Sequence, residues 1–162
     1  MSDPYAVVAR PVRLDYTYTA GTASSRFLRA IMQRRLLGSR CPSCAKVYVP
    51  LRTSCPTCGV EMGEDVAVSD RGIVTTFCIV NIPFPGMAVK PPFAAASVLL
   101  DGADIPIFHL IQEIPAEEVR MGLRVEAVWR PDDEMEPSME SIRHFRPTGE
   151  PDAPFERYKD HL

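Results

Sequence analysis

Cys41-Pro42-Ser43-Cys44 and Cys55-Pro56-Thr57-Cys58-Gly59 form two matched C-x-x-C pairs with ten residues between them. A C-x-x-C turn sets two thiolates on one side of an ion, with backbone amides aimed at the sulfurs. Two such knuckles complete a tetrahedral shell. Proline after the first cysteine and glycine after the last suit the tight geometry. Cys41, Cys44, Cys55 and Cys58 are therefore expected to bind one zinc ion. Four sulfurs leave no open position for water or substrate, so the zinc is structural. A unit this small has little core, and metal binding supplies much of its folding free energy. Iron in a rubredoxin-type site is the main rival, and disulfides come after it.

Outward from the cysteines, residues 46–51 (KVYVPL) read as a strand between the pairs. Upstream, Phe27, Leu28, Ile31, Met32 and Leu36 recur at helical spacing, with Ser24 or Ser25 as the cap and Gly38 as the stop. Residues 1–22 read as an extended or partly ordered arm. Downstream, short apolar runs at residues 66–69, 73–80, 93–100, 105–111, 123–129 and 141–145 alternate with turn signals such as Asp101-Gly102. Residues 81–92 hold four prolines and must be a loop, and residues 117–120 suggest a single helical turn. Five or six short strands in this span suggest a small closed barrel, for which the OB-fold is the commonest five-stranded solution. The expected class is mainly β: an N-terminal amphipathic helix, a rubredoxin-like zinc ribbon and an OB-fold barrel. The boundaries are 1–39 for arm and helix, 40–60 for the ribbon, 61–146 for the barrel and 147–162 for a tail. Phe155 and Tyr158 in that tail suggest docking on a partner.

The 162 residues suffice for one such assembly, and the 16 prolines argue against a mostly helical protein. No apolar run reaches membrane-spanning length, and the first residues lack a signal-peptide core. The expected compartment is the cytoplasm, where paired cysteines favour metal over disulfides. Residues 1–60 carry nine Lys/Arg and two Asp/Glu, against nine and nineteen in the remainder. The basic half either meets an anionic partner or offsets the negative charge of a four-thiolate site.

No catalytic set stands out. Cys78 lies in an apolar strand pattern and reads as a buried structural thiol. His109, His144 and His161 are scattered, and no phosphate-binding glycine motif occurs.

The order of an arginine-rich helix (27–37, FLRAIMQRRLL), the C-P-x-C…C-P-x-C-G ribbon and a small barrel resembles the DUF35 family. Further likeness lies in Val47-Tyr48-Val49-Pro50, in residues 91–101 (PPFAAASVLLD) and in Phe145-Arg146-Pro147. The resemblance covers roughly residues 25–148. It implies a non-catalytic accessory subunit of a thiolase-type acyl-CoA enzyme: a thiolase, a side-chain retro-aldolase or a hydroxymethylglutaryl-CoA-synthase-like enzyme. Catalytic residues then lie on a thiolase-fold partner, in a heterotetramer of two small and two large subunits. The small subunit would also help hold the coenzyme A thioester. Phe77, Phe84, Met87, Lys90 and Phe93, at the barrel mouth, are candidates for its pantetheine arm, and Arg29 and Arg34 for its phosphates. The competing reading makes Phe77 and Phe93 core and the two arginines a solvated helix face. Among other functions, a nucleic-acid-binding ribbon and OB-fold module is the alternative; the acidic barrel half argues against it. A stand-alone acyl-CoA enzyme and electron transfer at iron come after.

Overall fold

The computed structural model describes residues 6, 8–83 and 85–162. Residues 8–20 run without regular structure, with Val12, Leu14, Tyr16 and Tyr18 exposed. Helix α1 (Gly21–Ile31) leads into a three-stranded antiparallel sheet of β1 (Leu36–Arg40), β2 (Val47–Tyr48) and β3 (Asp65–Val68), ordered β2-β1-β3. A closed barrel follows, built from β4 (Arg71–Val80), β5 (Phe93–Leu100), β6 (Ile107–Ile111), β7 (Arg124–Trp129) and β8 (Ile142–Pro147). Its order is β4-β5-β6-β8-β7. All pairings are antiparallel except β6 with β8, which run parallel. This is the five-stranded OB-fold barrel expected from the strand count.

α1 buries Ala23, Phe27, Ala30 and Ile31, a stripe at helical spacing. It begins at Gly21, upstream of both serines, and its N-cap Ala20 makes no side-chain hydrogen bond. It also ends earlier than expected. Arg34 adopts a left-handed backbone (φ 53°), and Arg35 N–H reaches back to Ala30 O (3.0 Å) while Arg34 N–H bonds Ile31 O (2.8 Å). These two bonds make a Schellman ending. Leu36 and Gly38 thus belong to β1, not to the helix. Glycine is needed at position 38 by contact: a Cβ there would come within 2.6 Å of Val47 Cγ1 and 3.0 Å of Tyr48 O.

β3 completes the ribbon's sheet, although its residues follow the cysteines and were grouped with the barrel from sequence. One apolar core runs through helix, ribbon and barrel. Phe27 and Ile31 join Leu36, Val49 and Leu51, and these pack with Val98, Val125, Ile142 and Phe145 of the barrel. Asp104, in the turn between β5 and β6, fastens the ribbon from the other side. Its Oδ2 accepts from Val47 N–H (2.7 Å), and its own N–H donates to Val47 O (2.9 Å).

Much of the charge asymmetry closes on itself. Arg26 pairs with Asp65 (2.8 Å), Arg34 with Asp132 (2.7 Å) and Arg40 with Glu64 (3.4 Å). These are exposed pairs and contribute little stability each.

Two expectations are corrected. The C-terminal segment docks on its own barrel. Tyr158 is buried against Gly122, Ala153 N–H donates to Gly122 O (2.8 Å), Arg120 forks onto Asp152 (2.6 and 2.8 Å), and His161 Nδ1 lies 2.9 Å from Asp104 O. Phe155 stacks edge-on against Tyr158 and stays half exposed. Cys78 is exposed rather than buried. A register shift at Thr75 carries β4 onward beside β5, while β7 pairs with β4 only at residues 71–73. Among the described residues β4 beyond the shift pairs with β5 alone, and Cys78 lies in that stretch.

Candidate metal centre and barrel mouth

The two knuckles are near-copies of each other. Cys41 N–H donates to Lys46 O (2.9 Å) and Ala45 N–H to Cys41 O (2.9 Å); Cys55 N–H donates to Val60 O (2.8 Å) and Gly59 N–H to Cys55 O (2.9 Å). In each, a backbone N–H points at the first sulfur: Cys44 N to Cys41 Sγ at 3.5 Å, and Cys58 N to Cys55 Sγ at 3.4 Å. The turn closes with a left-handed residue, Ala45 (φ 61°) or Gly59 (φ 70°). The first knuckle is carried by the β1–β2 hairpin, the second by residues 52–62.

All four Sγ atoms lie within 4.8 Å of one another. Tetrahedral ligands at zinc–sulfur distance stand about 3.8 Å apart, and Cys44 Sγ lies 3.8 Å from Cys55 Sγ. The donor chemistry fits as well as the spacing. Burial opposes the Cys55 thiolate, but the Cys58 and Thr57 amides and the Tyr48 hydroxyl outweigh it and bring the thiol to about 6. At Cys44 the Lys46 backbone bond favours the thiolate, while burial and the sulfurs of Cys41, Cys58 and Cys55 push the thiol up to about 11. Four clustered thiols cannot all ionise without a cation among them. Tyr48 braces the site from outside, 2.9 Å from Thr57 Oγ1 and 3.7 Å from Cys55 Sγ, with Arg52 over its ring. The four cysteines expected from sequence are therefore brought together in a geometry positioned to bind a metal ion.

The residues expected at the barrel mouth are more dispersed. Phe77 is 37% exposed on β4, in line with Ala96 of β5 and His109 of β6. Lys90 and Phe93 line a cleft of about 160 Å³ with Ile111, Gln112 and Glu113. Met87 is half-buried in the loop before β5, and Phe84 lies outside the described residues. Arg29 is exposed on α1. Arg34 reaches the loop after β7, bonding Asp132 and Arg130 O (3.1 Å).

A larger cleft, of about 570 Å³, was not foreseen. It opens between β6 and β8 and is lined by His109, His144, Gln112, Arg130 and Arg143, with apolar walls from Val89, Phe108 and Met139. Among the described residues the two strands register at one pair, Ile111↔Phe145. His109 packs edge-on against Phe145 at 5.5 Å, and burial holds its pKa below the ordinary 6.5. His144 Nε2 lies 2.9 Å from Glu113 Oε1, and this bond holds the Glu113 carboxyl below its usual range. The available signal was the neighbouring pairs Phe108-His109 and Arg143-His144, each in a strand where one residue faces in and the next out.

Comparison with known proteins agrees with this layout. A family model described as the ChsH2 rubredoxin-like zinc ribbon domain matches residues 29–62. One described as the ChsH2 C-terminal OB-fold domain matches residues 65–130. A DUF35 domain-containing scaffold protein of Methanocaldococcus jannaschii is 34% identical over 97 residues, covering 59% of this chain and 67% of that protein. The chain belongs to the DUF35 family. A second DUF35 scaffold protein, from Methanothermobacter thermautotrophicus, is 30% identical over 112 residues, covering 67% of this chain and 83% of the relative. Among solved structures, the Ltp2-ChsH2(DUF35) aldolase matches with TM-score 0.59 and 25% identity, over 78% of this DUF35 chain and 95% of that one. A DUF35 protein of unknown function from Sulfolobus solfataricus shares the fold, with TM-score 0.57 and 18% identity, over 78% and 84% of the two chains.

Proposed function

We propose that this DUF35 protein is the non-catalytic accessory subunit of an acyl-CoA enzyme of the aldolase or thiolase type. The observation that supports this best is the match of 78% of this chain to a chain of the Ltp2-ChsH2(DUF35) aldolase. The described residues agree with a supporting role. The four thiols that cluster are positioned as a metal site. In this reading catalysis rests on a larger, thiolase-fold partner, in an assembly of two small and two large subunits.

The metal is one zinc, held by Cys41, Cys44, Cys55 and Cys58. It keeps the ribbon folded and takes no part in the reaction. Four free thiolates suit a reducing compartment, and the cytoplasm is the compartment this reading assigns. Within the complex, Phe77, Phe84, Met87, Lys90 and Phe93 line the approach of the acyl-CoA pantetheine arm, and Arg29 and Arg34 face its phosphates. No helix among the described residues is long and apolar enough to cross a membrane, and the working partner in this reading is a protein.

The test is a tagged pull-down from the native host, with mass spectrometry and metal analysis of the eluate. A thiolase-fold protein in equal amount, with one zinc per small chain, is the expected result. A chain that elutes with zinc and no such enzyme overturns the reading. Salt-dependent binding to single-stranded oligonucleotide would then be the next measurement.

A further inference from the structure

The arm ahead of α1 is built as a strand, yet it pairs with nothing among the described residues. Val12, Leu14, Tyr16 and Tyr18 alternate with Arg13, Asp15 and Thr17, the period of two that gives a strand one apolar and one polar face. Both faces are already visible. Arg13 forks onto Asp15 at 2.7 and 3.2 Å, and the rings of Tyr16 and Tyr18 lie 6.2 Å apart. Each contact joins residues two apart, which share a side where the backbone is extended and not where it is helical. Among the described residues no main-chain hydrogen bond holds residues 8–19. The four apolar side chains are 73–82% exposed, so the arm stands clear of the folded body.

The barrel offers the complementary element. β4 pairs with β7 at residues 71–73, and Val74 bonds Leu123 O and Gly122 N–H. From Thr76 to Val80 its pairing among the described residues is with β5 alone. An open edge of five residues is a template for another strand. Phe77 and Ile79 are each 37% exposed and stand opposite Ala96 and Ala94 of β5, so one face of this edge is apolar and continues across the sheet. The edges of the ribbon's sheet are poorer templates. β2 has two residues, and the exposed positions of β3 are Asp65 and Ala67.

We propose that residues 12–18 of one copy add as a strand to β4 residues 76–80 of a second copy, which returns its own arm in a two-fold exchange. The apolar face of the arm extends the face of Phe77 and Ile79. Arg13 and Asp15 already pair with each other and bring no unmatched charge to the seam. The exposure of the arm excludes its own β4 edge as the place where it lies. The area suffices for a stable pair of copies. An aromatic side chain buries about 150–250 Å², so four tyrosines from two arms supply roughly 600–1,000 Å². The valines, the leucines and the two β4 edges carry the total into the range of about 1,200–2,000 Å² typical of a specific interface. The inference does not rest on the accessory-subunit reading, because it concerns how this chain meets itself.

The test is light scattering of the zinc-loaded full chain from micromolar to millimolar concentration, with hydrogen exchange measured on the same samples. A particle of twice the chain's mass is expected, with protection rising together at residues 12–18 and 76–80 as it forms. Tyr16→Asp combined with Tyr18→Asp lies outside the folded body and leaves the fold intact. It should weaken association about tenfold or more, the effect of removing central aromatic anchors from an interface. Ile79→Lys should weaken it from the other side of the seam. A chain that stays monomeric throughout, a dimer indifferent to the tyrosine variant, or arm protection that is the same at every concentration overturns the inference. None of these results bears on the pull-down test of the accessory reading, which asks whether an enzyme elutes with the chain.

Discussion

The ribbon and the barrel are stabilised by different means, although one apolar core runs through both. The cluster around the cysteines is small: Cys41, Tyr48 and Cys55 are its buried members, with Cys44, Cys58, Met62 and Ile105 packed against them. The barrel fills its interior with Val74, Val98, Ile107, Val125, Ile142 and Phe145. One region depends on a few coordinate bonds and the other on area removed from water. The contrast shows how a chain can put much of its local order into four side chains without surrendering the rest of the fold to them.

The largest expected effect separates the two regions outright. Structural zinc contributes on the order of 10 kcal/mol to folding of isolated zinc modules. Chelation, or Cys55→Ser, should therefore collapse amide protection across residues 41–64 while residues 93–100 of β5 keep theirs. Simultaneous loss of both in hydrogen exchange would show that the regions fold as one unit. The reverse cut comes next. Phe145 is fully buried in the barrel, and Phe145→Ala should cost about 3–5 kcal/mol in denaturant melts. Metal content per chain should stay at one as long as the chain remains folded.

A finer cut compares the two knuckles. Ala45 and Gly59 occupy equivalent left-handed positions, but only one is glycine. Ala45→Gly relieves the Cβ contact of that conformation and should stabilise the zinc-loaded protein by about 1 kcal/mol; Gly59→Ala should act in the opposite sense. Unchanged melting in both variants would mean that the metal overrides backbone preference. The slightest effect belongs to the barrel and appears with pH. Burial, aided by the neighbouring His144, lowers the His109 pKa from 6.5. Just below 6.5 the unfolded chain binds more protons than the folded one, so stability should fall as pH drops toward the folded value. His109→Gln should flatten that part of the stability curve; an identical acid-side slope would assign it to other groups.

What the sequence discloses follows the range of the interactions. The metal ligands are legible because each knuckle is closed by residues three or four apart. The barrel strands are legible because β5 to β8 carry their own apolar patterns and turn signals. The end of α1 is not: Leu36 fits a helical stripe and a strand equally well, and the stop comes from Arg34, a residue type that rarely adopts a left-handed backbone. The exposure of Cys78 depends on where β7 ceases to pair with β4, which no local pattern encodes. The docking of the tail is hidden for the same reason, since Tyr158 finds its place on Gly122. The β6–β8 cleft requires two strands more than thirty residues apart to meet, and they register at a single pair.

Asp104 gives this layout a practical handle. It grips the ribbon at Val47 through two bonds and receives His161 on its carbonyl, each partner 57 residues away along the chain. One aspartate thus links the ribbon to the C-terminal segment. An environment-sensitive dye at Leu162 would read metal loading remotely, without touching a ligand, and its signal would follow zinc during purification or exchange in real time.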